Sequence, residues 1–388
     1  MKTRWILILL PLLLPTYVVR FHIGPLPTTL LEVGLLAIFV TWVTLRRGEI
    51  RRIIREFTKS DWYWPMGLWL CAGLIGIIIA NNHLAAFGLW RAYFLEPIIA
   101  FVMLRDLLHS ENDKRDLLRS LCVAVAACAT WAIFQFVTHI GIPSPWNIPP
   151  QGIRATGPFP FPNALALFAI PVAALCLSLL LQTVTFIKKQ WLWLGLVSGF
   201  IATLLAKSDG GFIAFAAAAF IAFVSHKKTR RYAIAAAIIG GIVVAAIPTL
   251  RHIAEEQLLF KKWSGQVRLV IWKETRAMLA EHPVFGVGLG NYSTAIIPYH
   301  KATWMEIFQY PHNILLNLWS ETGLLGVAAF GWILWLWWRH GRMTALPVIT
   351  AILVHGLVDV PYFKNDLAVA FWILIVLSSH RTNQAHTL

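Results

Sequence analysis

The sequence predicts an all-α, polytopic integral membrane protein of about twelve transmembrane helices with one long loop outside the bilayer. Three observations carry this. Of 388 residues, 58% are hydrophobic and only 13% charged, about half the charged share of a soluble globular domain. Mean hydropathy is +0.67. The 33 Lys and Arg, against 18 Asp and Glu, fall in short clusters between apolar runs, without a soluble domain to carry them. The net charge of +15 therefore points to anionic membrane lipid and not to nucleic acid.

A membrane helix requires about 20 mostly apolar residues. Runs of this kind cover 4–20, 27–45, 62–80, 84–104, 118–139, 161–182, 190–206, 211–225, 232–248, 313–337, 344–359 and 366–379, inside a single integral membrane domain, 1–388. The first begins like a signal peptide, MKTRWILILLPLLLPTYVV, yet no small-residue cleavage site follows and Arg20, Phe21 and His22 come next, so it reads as a retained span. The seventh and eighth share the break Lys207-Ser208-Asp209-Gly210-Gly211 and read as two spans or as one re-entrant hairpin. Trp62, Tyr63, Trp64 and Trp191, at span ends, read as interfacial anchors. Cys71, Cys122, Cys128 and Cys176 lie in apolar runs without CxxC spacing, so neither a disulfide framework nor a zinc site follows. Loop 140–163 holds seven prolines, with Arg154 among them; such backbone is stiff and extended, suited to lining an entrance.

Threading the connections alternately across a bilayer puts 21 of the 33 Lys and Arg on one side and 12 on the other, seven of these in the loop 249–312. Long loops are exempt from the positive-inside rule. The remaining 21 to 5 places both termini in the cytoplasm, with loops 140–163 and 249–312 on the opposite side. On this threading Glu32, Arg91, Lys207, Asp209, Glu321 and Asp359 fall in the outer half and Glu96 nearer the midplane. A charge in hydrocarbon costs roughly 3 kcal/mol unless it faces protein or water, so these residues mark a cavity that opens outward.

Polar and special residues are densest from Ser264 to Gly326. Arg268, Trp272, Thr275 and Leu279 share one helical face, with Ser264 as N-cap and Pro283 forcing a stop after His282. Pro311, His312 and Asn313 precede a long apolar helix, with Glu321 about two turns inside it. Taken alone, Arg268 is either a snorkelling interfacial cation or a forked phosphate ligand. His312 is either a helix-start residue bonded to backbone or a proton acceptor near neutral pH. Glu321 is either a structural contact between helices or a catalytic carboxylate. His282, His300 and His312 lack the i, i+4 spacing of a helical zinc site, and Gly286, Gly288 and Gly290 lack the third glycine of a dinucleotide fingerprint and read as a turn. No metal and no cofactor is expected.

Arg268, Trp272, Pro283, Phe285 to Asn291, Pro311 to Asn313, Leu315, Glu321, Gly323 and Gly326 together resemble the signature of the O-antigen ligase and polymerase superfamily of bacterial envelope proteins. The segments RATGPFPFPNALA (154–166) and HGLVDVPY (355–362) are similar to two further stretches of that family. The resemblance implies a GT-C-like fold in the bacterial cytoplasmic (inner) membrane and a glycosyltransferase of lipopolysaccharide or polysaccharide assembly. Such an enzyme moves a glycan from a polyprenyl (undecaprenyl) pyrophosphate to a lipid or glycan acceptor, by ligation or polymerisation, without a metal. It implies that Arg268 binds the donor pyrophosphate and His312 activates the acceptor hydroxyl, with Glu321 a third catalytic candidate. Trp272, Asn313, Asp359, Arg91, Arg154 and Lys207 are the accompanying substrate-binding candidates. Many relatives place an arginine after the serine of the KSDGG break as a second phosphate ligand; here that position is Asp209. Lys207, Arg91 or Arg154 then supplies the second cation, or the donor binds differently. A transporter or flippase for the lipid-linked sugar is the rival, but the chain lacks the paired repeats of such proteins and its polar cluster is peripheral.

Overall fold

Two prolines set the start of the structure, a computed structural model that describes residues 4–24, 26–148 and 152–379. Lys2 and Arg381 of the charge count, and Pro149 and Pro150 of the proline-rich loop, lie outside the described residues. With Pro11 inside it and Pro15 just beyond, the first helix holds α geometry only over Arg4–Leu13 and tightens to a 3-10 turn over Leu14–Val18. The chain then forms an antiparallel hairpin, Arg20–Ile23 with Leu26–Thr29, which the apolar periodicity did not anticipate. Thr29 and Glu32 close a reciprocal capping box that starts the helix Leu30–Arg46.

About three-quarters of the chain is helical. Five helices are long and apolar enough to cross a membrane: His83–Leu107, Glu111–Thr138, Pro162–Leu181, Lys189–Ala206 and Ile314–Gly356. Two bent pairs, Ile50–Thr58 with Tyr63–Ile79 at 93° and Arg230–Ala246 with Pro248–Glu281 at 103°, bring the number to as many as seven if each pair is one span. Arg4–Val18, Asp209–Ser225 and Asn365–Ser378 are apolar but shorter. The expected spans 313–337 and 344–359 follow each other without a loop in Ile314–Gly356, but a break at Arg342 (φ +40°, ψ −112°) separates them, and a second break falls at Gly323 inside the first. Trp62, expected at an interface, is instead buried at 4% exposure between Phe101 and Trp372, whereas Trp64 is exposed.

Pro162–Leu181 is apolar around its whole circumference and is buried accordingly. It packs against Lys189–Ala206, Asp209–Ser225 and the long helix. Side-chain links sort into two groups. Arg4 pairs with Asp116, Arg46 Nε lies 3.0 Å from Asp106, His340 lies 3.3 Å from Asp61, and Lys114 Nζ donates to Ser379 O at 3.3 Å. These join loops that the threading assigns to one side. Arg91 with Glu32, Asn365 with Glu32 and His312 with Asp359 join residues that it assigns to the opposite, outer half.

The long helix is broken where a loop enters it. At Gly323 φ is +64°, and the hydrogen bond from Leu324 N to Ser320 O is replaced. Leu324 N donates to Val284 O at 2.9 Å, and Ser320 O accepts from Val287 N at 2.7 Å and Gly288 N at 3.2 Å. Leu324 N and Ser320 O, parted by the break, are therefore both paired, as non-helical backbone within a membrane protein requires.

Candidate active site

The helix Trp263–Glu281 positions Arg268 and Trp272. The chain reverses at Phe260, φ +52°, and Lys262, extended, takes the N-cap place. Ser264 thus lies inside the first turn and does not cap it, a correction to the sequence reading. Met278 and Leu279 carbonyls accept from His282 N, and Pro283 ends the helix as expected. Its buried face, Val267, Ile271, Thr275, Met278 and Leu279, includes a hydroxyl pair between Thr275 and Tyr292 at 2.7 Å. Arg268 Nε donates to Val358 O at 2.8 Å and Nη1 to Ser264 O at 3.1 Å. Trp272 Nε1 donates to Pro311 O at 3.1 Å, fastening this helix to the turn that carries His312.

The glycines after Pro283 form that entering loop. Gly286 and Gly288 have φ of +70° and +92°, and a Cβ there would lie 2.3 Å from Trp319 O and 2.7 Å from Ala80 N, so no side chain fits. Glu321 Oε2 accepts from Gly290 N at 2.6 Å. The carboxylate therefore holds the loop onto the long helix.

His312 has φ +48°, in the left-handed region, and is followed by Asn313, whose Oδ1 accepts from Leu315 N at 3.0 Å and Leu316 N at 3.1 Å. Asn313 Nδ2 also donates to Leu357 O at 3.1 Å, drawing the two ends of the helix Ile314–Gly356 and its continuation toward one another. The His312 ring stands 4.7 Å from Tyr310 and 5.2 Å from Phe308, centroid to centroid. Its Nδ1 is 3.6 Å from Asp359 Oδ1, too far for a hydrogen bond and close enough for a strong charge interaction. Asp359, 1% exposed, accepts from Asn163 Nδ2 at 3.0 Å. Asn163 Oδ1 in turn accepts from Arg154 Nη2 at 3.1 Å, and Arg154 Nε donates to Ala206 O at 3.0 Å while its guanidinium stands over Trp146. A polar chain thus runs from His312 through Asp359 and Asn163 to Arg154.

Electrostatics follow from that packing. Burial alone would raise the Asp359 carboxyl, but His312, His355 and Arg268 around it hold it well below the usual carboxylate range. Burial also pushes the Arg154 guanidinium down; Asp209 opposes this and Arg268 adds to it. Asp209 itself is exposed, accepting from Gln257 Nε2 at 2.8 Å with Lys262 Nζ at 3.8 Å.

The structure brings together Arg268, Trp272, His312, Asn313, Asp359 and Arg154. Lys207, left-handed at the end of Lys189–Ala206, reaches toward Gly152 of the proline-rich loop. Glu321 sits on the same helix as Asn313 but is engaged with Gly290. Arg91 stands apart, 3.1 Å from Glu32 and 3.1 Å from Glu96. Asn163 and His355 were not among the site candidates, although both lie in segments that carried the resemblance. Tyr310 had no sequence signal. Among the described residues no group of three or more His, Cys, Asp or Glu is placed to hold a metal ion.

Residues 194–331 match a family model described as O-antigen ligase. The matched segment holds Lys207, Arg268, Trp272, His312, Asn313 and Glu321, whereas Arg154, Asn163 and Asp359 lie outside it. No curated protein matches the chain.

Proposed function

We propose that this O-antigen ligase-type membrane protein transfers a glycan from a polyprenyl pyrophosphate to an acceptor hydroxyl at the outer face of the bacterial cytoplasmic membrane. The observation that carries the reading is the meeting of Arg268 and Arg154, neither ion-paired to a carboxylate among the described residues, with a histidine beside a buried aspartate. Guanidinium groups bind phosphate oxygens in a fork, and two of them in a desolvated place stabilise charge that grows on a leaving pyrophosphate. The acceptor oxygen bonds to the anomeric carbon as the bond from that carbon to the pyrophosphate oxygen breaks, its electron pair leaving with the pyrophosphate. The hydroxyl proton passes to His312. Asp359, 3.6 Å from Nδ1, favours the imidazolium so formed, the orienting role of a carboxylate behind a base.

Ligation and polymerisation use these same parts and differ in the acceptor. The test is transfer from a purified polyprenyl pyrophosphate glycan in liposomes. Asp359→Asn is expected to lower turnover at least tenfold, because the base loses its counter-charge. Movement of the lipid across the bilayer without any glycosylated product would replace this reading with a transporter.

A further inference from the structure

Beside Tyr310, whose ring contacts His312, lies a polar cavity of about 680 Å³, which Tyr310 itself helps to line. The sequence reading did not use it. Its walls come from the unanticipated hairpin region (Tyr17, Arg20), the proline-rich loop (Phe161), the long helix (Asn317, Glu321) and the turn before the last helix (Lys364). No stretch of fewer than 300 residues holds both Arg20 and Lys364, so only the fold assembles it.

Two features are unusual. First, Arg20 and Lys364 are cations without an ion pair among the described residues; Lys364 Nζ stands 3.8 Å from the Phe161 ring centroid and 3.4 Å from Tyr17 OH. Second, Asn317 is 1% exposed and its Oδ1 has no hydrogen-bond partner among the described residues, although a buried amide oxygen normally finds one. It lies one helical turn from Glu321, so an acceptor oxygen and a carboxylate face the cavity side by side. Aromatic faces, hydrogen-bond acceptors for hydroxyls and a pair of cations are the complement of a sugar bearing an anionic group. An acyl chain would leave Asn317, Lys364 and Arg20 all unmatched.

We infer that this cavity is a binding subsite for an anionic saccharide, carboxylated or phosphorylated, and that the saccharide belongs to the acceptor. The assignment to the acceptor rests on the transfer reading above, since the cavity adjoins His312 through Tyr310 and is lined by neither Arg268 nor Arg154. Glycan ring faces stack on Tyr17 and Tyr310, hydroxyls donate to Asn317 Oδ1 and Glu321, and the anionic group meets Lys364 and Arg20.

Binding separates the two claims because it needs no turnover. The full-length protein in detergent is titrated calorimetrically with a galacturonate disaccharide, a phosphorylated disaccharide, neutral lactose and inorganic phosphate. At least one acidic disaccharide is expected to bind ten or more times tighter than lactose and than inorganic phosphate, and the tighter of the two identifies the anion. Lys364→Gln and Arg20→Gln are each expected to weaken it about tenfold, whereas Arg268→Ala leaves it unchanged. Lactose binding as tightly as both acids, phosphate alone binding as tightly, or loss of binding in Arg268→Ala would each overturn the subsite. In the transfer assay Lys364→Gln is expected to raise KM for acceptor with KM for donor unchanged; a rise in the donor KM instead overturns the acceptor assignment. Binding intact in a protein that transfers nothing would count against the transfer reading and leave the saccharide subsite standing.

Discussion

Arg91 and Arg268 are both arginines in the polar half of a membrane protein, and the structure treats them oppositely. Arg91 lies between two carboxylates, Glu32 and Glu96, each at 3.1 Å. Among the described residues Arg268 donates only to the carbonyl oxygens of Val358 and Ser264, and Arg154 only to Ala206 O and the amide oxygen of Asn163. A neutral oxygen fixes the orientation of a guanidinium without cancelling its charge. Arg91 is therefore spent on holding helices together, and the other two keep a charge to offer. Partner type, more than depth or burial, separates a structural cation from a ligand-binding one.

The comparison breaks most decisively at its catalytic end. His312→Ala is expected to lower transfer by roughly two to four powers of ten with donor affinity retained. Arg268→Ala is expected to lower it by about two powers of ten or more, and Arg268→Lys to restore only part, since an ammonium lacks the fork. Steady-state transfer in liposomes at equal folded amounts measures both, and a parental rate in His312→Ala would end the mechanism. Chelator is expected to leave the parental rate unchanged, because the guanidinium pair supplies the charge a divalent ion would bring.

Arg91→Ala is the structural counterpart. Removing one partner of a buried ion network strands the others, at a cost of about 3 kcal/mol. The expected signature is a lowered Tm with KM for the donor within about threefold of the parent. A large donor KM effect in a fully folded variant would erase the distinction drawn here.

A smaller effect concerns pH. Burial pushes Lys364 down to about 8, against the opposing pull of Asp366 and Asp359. The lysine is charged below that value and neutral above it, so affinity for an acidic disaccharide is expected to be full near pH 7 and to fall as pH rises through 8. Lys364→Arg, charged throughout, should remove the fall.

The smallest expected change is at the KSDGG break. Asp209 is exposed and its contacts to Gln257 and Lys262 are those of a surface residue, worth no more than about 1 kcal/mol. Lys207→Ala is expected to weaken donor binding more than Asp209→Ala, while Asp209→Arg is tolerated or activating. Equal and negligible donor KM changes in all three would remove the break from the donor site.

Sequence reading reached the membrane class, the helix carrying Arg268 and Trp272, and the His312 turn, because these depend on local pattern: apolar runs, a proline stop, an asparagine cap. Asp359 was reachable through a short motif. The cation cavity was not, since Arg20 and Lys364 meet only after the chain has crossed the membrane many times. Ser264 failed as a cap because the reversal at Phe260 hands that place to Lys262, and local propensity cannot see such a turn. The break at Gly323 was equally hidden, as the apolar pattern runs through it without interruption.

That break also dictates an order of assembly. In lipid an unsatisfied backbone group costs several kcal/mol, so the segment 314–341 cannot sit in the bilayer with Ser320 O and Leu324 N already parted. It must enter as a continuous helix and open only when the loop that contains Val284 and Val287 arrives to take over both groups. Maturation thus ends with one hydrogen bond exchanged for three. Only glycine accepts the +64° φ of residue 323 without strain, so Gly323→Ala is expected to arrest the protein before that exchange. The arrest would be read as fast amide exchange at Val287 in a protein whose helices are otherwise formed.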